Sequence, residues 1–160
     1  MESQHELVKI RFETDPGGLG GGSPERLWAK RLSGKSGGFE LQNSPFYAKG
    51  VSCLDVVETA EDPASPGELI YRRTVFPSAH STYRILVDKG NESFSGWWAK
   101  LAKLGCTYEY SDEGEKLLYA ADIPPSANIF EVYGILEAGE KELVWLFDEG
   151  HCGQPINRAT

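Results

Sequence analysis

The chain has no long apolar run, few cysteines and a deficit of positive charge. No stretch approaches the roughly 18 consecutive apolar residues that a membrane span requires, and Met1 to Lys9 carries Glu2 and Glu6 where a signal peptide would carry an apolar core. The expectation is a cytoplasmic protein with neither leader nor anchor. Cys53, Cys106 and Cys152 are odd in number, far apart and without a C-x-x-C pair, so they outline neither a disulfide framework nor a zinc knuckle. A reducing compartment is expected, and the spacing calls for no metal and no cofactor. Lys and Arg number 16 against 24 Asp and Glu, a net charge of -8. That balance argues against nucleic acid and against an anionic membrane surface as partners, because both require a basic face.

The acidity is uneven. Residues 1–78 hold 9 Lys/Arg against 11 Asp/Glu, whereas residues 79–160 hold 7 against 13. Acidic surfaces serve solubility, or they serve as a face for a basic partner. With 160 residues, 40% hydrophobic and 25% charged, the chain has ordinary globular composition and enough length for one good core or two small ones.

Leu7 to Glu13 places Val8, Ile10 and Phe12 on one face and Lys9, Arg11 and Glu13 on the other, the period of a half-buried strand. A glycine-rich loop, 15–24, follows. Short strands are then expected over Arg26–Leu32, Gly38–Gln42, Asp55–Thr59 and Leu69–Val75, separated by Gly, Pro and Ser clusters that include Glu61–Gly67. After Pro77, Ser81–Val87 reads as a strand. A helix carrying Phe94, Trp97, Trp98, Leu101 and Leu104 ends at Gly105. Cys106–Tyr110 and Lys116–Asp122 pair as a hairpin through Ser111–Gly114. A second helix carries Ile129, Val132, Tyr133 and Leu136 and closes at Gly139, and Glu142–Asp148 is the last strand.

The expected fold class is therefore α+β. A small antiparallel β-sheet or barrel lobe, 1–78, precedes a ferredoxin-like (βαββαβ) lobe, 79–153, and a tail, 154–160. In the second lobe both helices cover one face of the sheet, which leaves the opposite face available to partners.

Two segments concentrate reactive side chains. His80-Ser81-Thr82-Tyr83-Arg84 gathers a base, hydroxyls and a guanidinium, a set suited to an anion, although the plainer reading is a turn leading into a strand. Asp148-Glu149-Gly150-His151-Cys152 follows the last strand with two carboxylates, an imidazole and a thiol. A thiolate at Cys152 would be opposed by its acidic neighbours, and a turn held by Asp148 and Gly150 is the plainer reading. His80, Ser81, Arg84, Glu149 and His151 thus form the possible ligand site between the lobes.

Leu27-Trp-Ala-Lys-Arg-Leu32, then Leu41-Gln-Asn-Ser-Pro-Phe-Tyr-Ala-Lys-Gly-Val51 with Asp55-Val-Val57, then His80–Arg84 and Asp148–Cys152, resemble the successive blocks of a bacterial family, the domain-of-unknown-function family 4265. The resemblance implies a bacterial cytosolic protein. It marks Pro45, Phe46, Gly50, His80, Ser81, Arg84, Glu149 and His151 as family-pattern residues and brings no activity with it.

The leading functional expectation is a non-enzymatic acidic binding protein. Small acidic bacterial proteins are often immunity proteins, each occluding the basic cleft of a cognate toxin that acts on NAD or nucleic acid. Glu109, Asp112, Glu113, Glu115, Asp122, Glu140, Glu142, Asp148 and Glu149 would form the toxin-facing surface. The alternatives are a small-ligand-binding protein or enzyme that uses the residues between the lobes, and a regulatory protein-interaction module.

Overall fold

The computed structural model describes residues 6–18, 20–34 and 37–155. Leu19 of the glycine loop, Lys35 and Ser36 of the second turn and residues 156–160 of the expected tail lie outside that range.

The alternation of the first half builds a closed barrel of five strands, β1 (Leu7–Phe12), β2 (Glu25–Arg31), β3 (Phe39–Leu41), β4 (Val56–Asp62) and β5 (Ser65–Phe76). Neighbours pair antiparallel in sequence order. The barrel then closes through a parallel contact that sets Ile10 against Leu69 and Arg11 against Ile70. Closure leaves no free barrel edge, and inward-pointing Ile10, Phe12, Leu27, Ala29, Leu41 and Val57 fill the interior. The Pro-containing stretch 61–67, expected to be a connection, is mostly strand. Only Pro63 and Ala64 turn, with Ala64 N–H donating to Asp62, and register shifts between β4 and β5 absorb the irregularity.

The second half runs β6 (Ser81–Asp88), α1 (Phe94–Ala102), β7 (Thr107–Glu113), β8 (Lys116–Ile123), α2 (Ile129–Lys141) and β9 (Leu146–His151). Its four strands form an antiparallel sheet of order β7-β8-β6-β9. Tyr83, Ile85 and Val87 of β6 point to one face with Tyr119, Ala121 and Ile123 of β8. Leu101 of α1 and Ile129, Val132 and Leu136 of α2 cover that face. Asn128 caps α2 by accepting from Phe130 and Glu131 N–H. Trp97 and Trp98, adjacent on α1, are both half-buried against this core.

Three boundaries differ from expectation. The β7–β8 hairpin turns at Gly114 and Glu115, so β7 extends to Glu113. Gly139 does not close α2. It sits inside the helix because the Trp145 indole packs against it, and a Cβ there would lie 2.5 Å from the ring. Trp145 also donates its indole N–H to Leu136 O at 2.8 Å. The helix ends beyond Lys141, where Leu143 adopts a φ of 61°. The last strand consequently starts at Leu146, and Glu149 to His151, expected beyond the strand, belong to β9.

The free-face expectation also changes. The helix-distal side of the second sheet presents three rows across its strands. Thr107, Asp122, Thr82 and His151 form the first, Glu109, Ala120, Arg84 and Asp148 the second, and Ser111, Leu118, Leu86 and Leu146 the third. The barrel's 43–52 connection bonds to the first two rows, so most of their polar groups meet protein there.

Candidate functional site

The junction between barrel and sheet is polar, and it is assembled by a buried carboxylate at the start of β2. Glu25 accepts from the backbone N–H of Phe46, Tyr47 and Ala48 at 2.7, 3.0 and 2.8 Å. These three bonds hold the 44–48 segment over the sheet. Asp55, also buried, does the same for the next turn by accepting from Ser52 N–H and Ser78 N–H.

Polar groups of the first two rows then meet matching partners. Glu109 accepts from Asn43 Nδ2 and Ser44 N–H, both at 3.0 Å. Arg84, its side chain only 5% exposed, donates from Nε and Nη2 to the two oxygens of Asp148 at 2.9 and 2.7 Å, and from Nη1 to Tyr47 O at 3.1 Å. Ser52 Oγ lies 2.8 Å from both Thr82 Oγ1 and His151 Nδ1. His80 Nδ1 is 2.9 and 3.0 Å from the two oxygens of Asp122. Ser81 Oγ donates to Gln154 and accepts from Gly153 N–H, and Tyr83 donates to Glu149 at 3.0 Å.

The structure thus brings Ser81, Arg84, Glu149 and His151 onto two neighbouring strands, β6 and β9, with His80 just before β6. It gives each a different partner. His80 bonds to Asp122 and His151 to Ser52, so the two imidazoles share no partner. Glu149 and Tyr83 lie toward the helix side, away from Arg84. Glu25, Asp55 and Ser52 escaped the sequence reading as site residues, because a single polar residue in a strand or loop carries no local signal of burial.

The acidic residues divide in the same way. Glu109, Asp122 and Asp148 face the junction. Glu113 accepts from Tyr47 Oη, Asp112 pairs with Lys89, and Glu140 accepts from Phe147 N–H. Glu115 and Glu142 stand exposed beside the turns that follow β7 and α2.

Burial works against acid–base and thiol chemistry here. It pushes the Cys53 thiol up to about 12, with nearby Asp122 and Glu109 adding to the effect, and it does the same to Cys106. Burial raises the Asp122 carboxyl, and His80 opposes part of that rise. Tyr47 is pushed up to about 12 by burial and by Glu113. Among the described residues, no three His, Cys, Asp or Glu side chains stand where they could hold a metal ion. Two clefts border the junction. One of about 360 Å³ lies between the glycine loop and Lys49, Arg84 and Asp148, and one of about 240 Å³ is lined by Cys53, Glu109 and Asp122.

A family model described as a domain of unknown function, DUF4265, matches residues 25–147. The chain belongs to that family. The DUF4265 match takes in Glu25, the 43–52 connection and β6, and it ends before Asp148, so the acidic partner of Arg84 and His151 lie beyond it. No curated protein matches the chain. A solved structure described as a hypothetical protein from Neisseria gonorrhoeae is similar over 96% of this chain and all of its own, with a TM-score of 0.69 and 19% identity. At that identity the likeness shows a shared fold. No described helix is long and apolar enough to cross a membrane.

Proposed function

We propose that this DUF4265 chain is a non-enzymatic binding protein whose acidic second lobe engages a basic protein partner, in the specific form of an immunity protein that occludes the cleft of a cognate toxin. The observation that carries the proposal is the internal pairing of the reactive side chains. His80, Ser81, Arg84, Glu149 and His151 each have a partner within the chain, and the Cys53 thiol is held in its protonated form. The Ser52–His151 contact and the bond from Arg84 to the Tyr47 carbonyl tie the barrel to the sheet, and the other bonds brace the second lobe itself. A rigid two-lobed body also suits a stoichiometric inhibitor, since little ordering cost is added on binding. We read the second lobe as ferredoxin-like, because a βαββαβ order with the first strand between the third and fourth describes β7-β8-β6-β9.

Affinity capture with the full chain at low ionic strength, followed by reconstitution with the purified captured protein, tests the proposal. The expected result is a 1:1 complex with a basic protein whose own activity is suppressed. An acidic or neutral partner, or turnover of a small molecule by the chain itself, overturns it.

A further inference from the structure

The second sheet ends on β7, and this edge differs from the edge strands that proteins ordinarily protect. Natural edges are blunted by charged side chains, Lys above all, by Pro, by bulges or by a covering segment, and of these β7 carries only acidic charge, which repels like edges and not a basic one. Thr107 to Glu113 has no Lys, no Pro and no Gly, and it pairs with β8 residue for residue without a register shift. β9, the opposite edge, has a bulge against β6, and Gly150 O already accepts from Gly50 N–H.

The hairpin fixes which backbone groups of β7 are free. Gly114, with a φ of 83°, and Glu115 make a two-residue turn between paired Glu113 and Lys116. In such a hairpin the flanking pair exchanges both backbone hydrogen bonds, and every second pair does so along the strand. Glu113, Ser111, Glu109 and Thr107 therefore bond to β8, and the N–H and C=O groups of Tyr108, Tyr110 and Asp112 point to the open edge.

Charge selects the occupant. Residues 107–115 hold Glu109, Asp112, Glu113 and Glu115 and no Lys or Arg; Lys89 pairs with Asp112, while Glu109 and Glu113 accept from uncharged donors and Glu115 is exposed, so the edge keeps a net negative charge. A second copy pairing here would set carboxylates against carboxylates, which is unfavourable across strands. An extended basic segment meets complementary charge instead. Tyr108 and Tyr110 offer ring surface on the helix-facing side, where Tyr108 packs edge-on against Trp98 and Tyr119 at 4.8 Å each.

We infer that β7 is a strand-addition site for an extended, Lys- or Arg-rich segment of the partner protein, which would join the sheet as a fifth strand. The inference rests on the binding-protein reading above and adds the surface and the mode.

The probe is an acetylated, amidated heptapeptide of alternating Lys and Val, titrated into the full ¹⁵N-labelled chain at low ionic strength. A Glu and Val counterpart serves as the control. The basic peptide should slow amide exchange at Tyr108, Tyr110 and Asp112 by roughly tenfold or more, and the control should leave it unchanged. The double variant Asp112→Lys, Glu115→Lys should weaken binding at least about tenfold with the sheet intact. Tyr110→Pro, which deletes one outward N–H, should abolish the protection if the variant folds, and the charge variant decides alone if it does not. Protection mapped to β9 or the barrel, or binding unaffected by Asp112→Lys, Glu115→Lys, overturns the site. If a captured basic partner binds 1:1 while the β7 amides stay unprotected, the edge assignment fails and the functional reading stands. If no basic partner exists but the peptide protects β7, the docking mode stands without that function.

Discussion

Replacing Arg84 by Ala distinguishes a structural strut from a ligand-binding residue. The guanidinium is buried and makes two charge-assisted bonds to Asp148 and one to the Tyr47 carbonyl. Breaking a buried ion pair by removing one partner costs about 3–5 kcal/mol. Asp148 is 54% exposed and regains water when released, so the low end applies, about 3 kcal/mol. For a chain of this size that lowers Tm by roughly 6–12 °C. Arg84→Lys keeps the charge and loses the two-pronged geometry, so it should fall between the variant and wild type. Differential scanning calorimetry and urea midpoints at neutral pH measure the effect. A Tm within about 2 °C of wild type for Arg84→Ala would show that the Asp148 pair contributes little to the fold. Arg84 would then be available for a ligand, and its assignment as a strut between lobes would be wrong.

Two further perturbations address the same junction. Because burial outweighs His80 in holding the Asp122 carboxyl above its ordinary value, the folded state binds that proton more tightly than the unfolded state. Stability from this site is full below the unfolded pKa and is lost as pH rises through the folded one. Asp122→Asn, which keeps an acceptor for His80, should gain on wild type as pH rises from about 4 to about 7 in urea titrations; a gain that grows in acid contradicts the burial argument. Cys53 and Cys106, both raised to about 12, should be alkylated by iodoacetamide at pH about 8 orders of magnitude more slowly in the folded chain than in urea. Mass spectrometry reads this directly, and fast native labelling of Cys53 would point to an activated thiol.

Much of the architecture is legible in the sequence because alternation and helical spacing report burial locally. Val8, Ile10 and Phe12 mark β1, and Ile129, Val132 and Leu136 mark the inner stripe of α2. Gly139 misleads, since its small size serves the packing of Trp145 and not a helix end, and that error moves the start of the last strand from Glu142 to Leu146. The junction is illegible for a different reason. Its bonds join residues 25 to 48 and 52 to 151, and no local pattern tells which connection of one lobe lies on the sheet of the other. Ser81–Arg84 and Asp148–His151 lie on the paired strands β6 and β9, with His80 just before β6. Their chemistry depends on Ser52, Asp122 and the Tyr47 carbonyl, which come from elsewhere in the chain.

The most direct measurement is the association rate of the chain with its captured partner as a function of ionic strength, for wild type and for Asp112, Glu113 and Glu115 reversed to Lys. Complementary charge accelerates encounter and is screened by salt. The wild-type rate should fall steeply as salt rises, and the reversed variant should associate at least about tenfold more slowly in low salt and show little dependence on it. Equal rates for the two proteins, flat with ionic strength, would contradict an acidic second lobe as the binding surface.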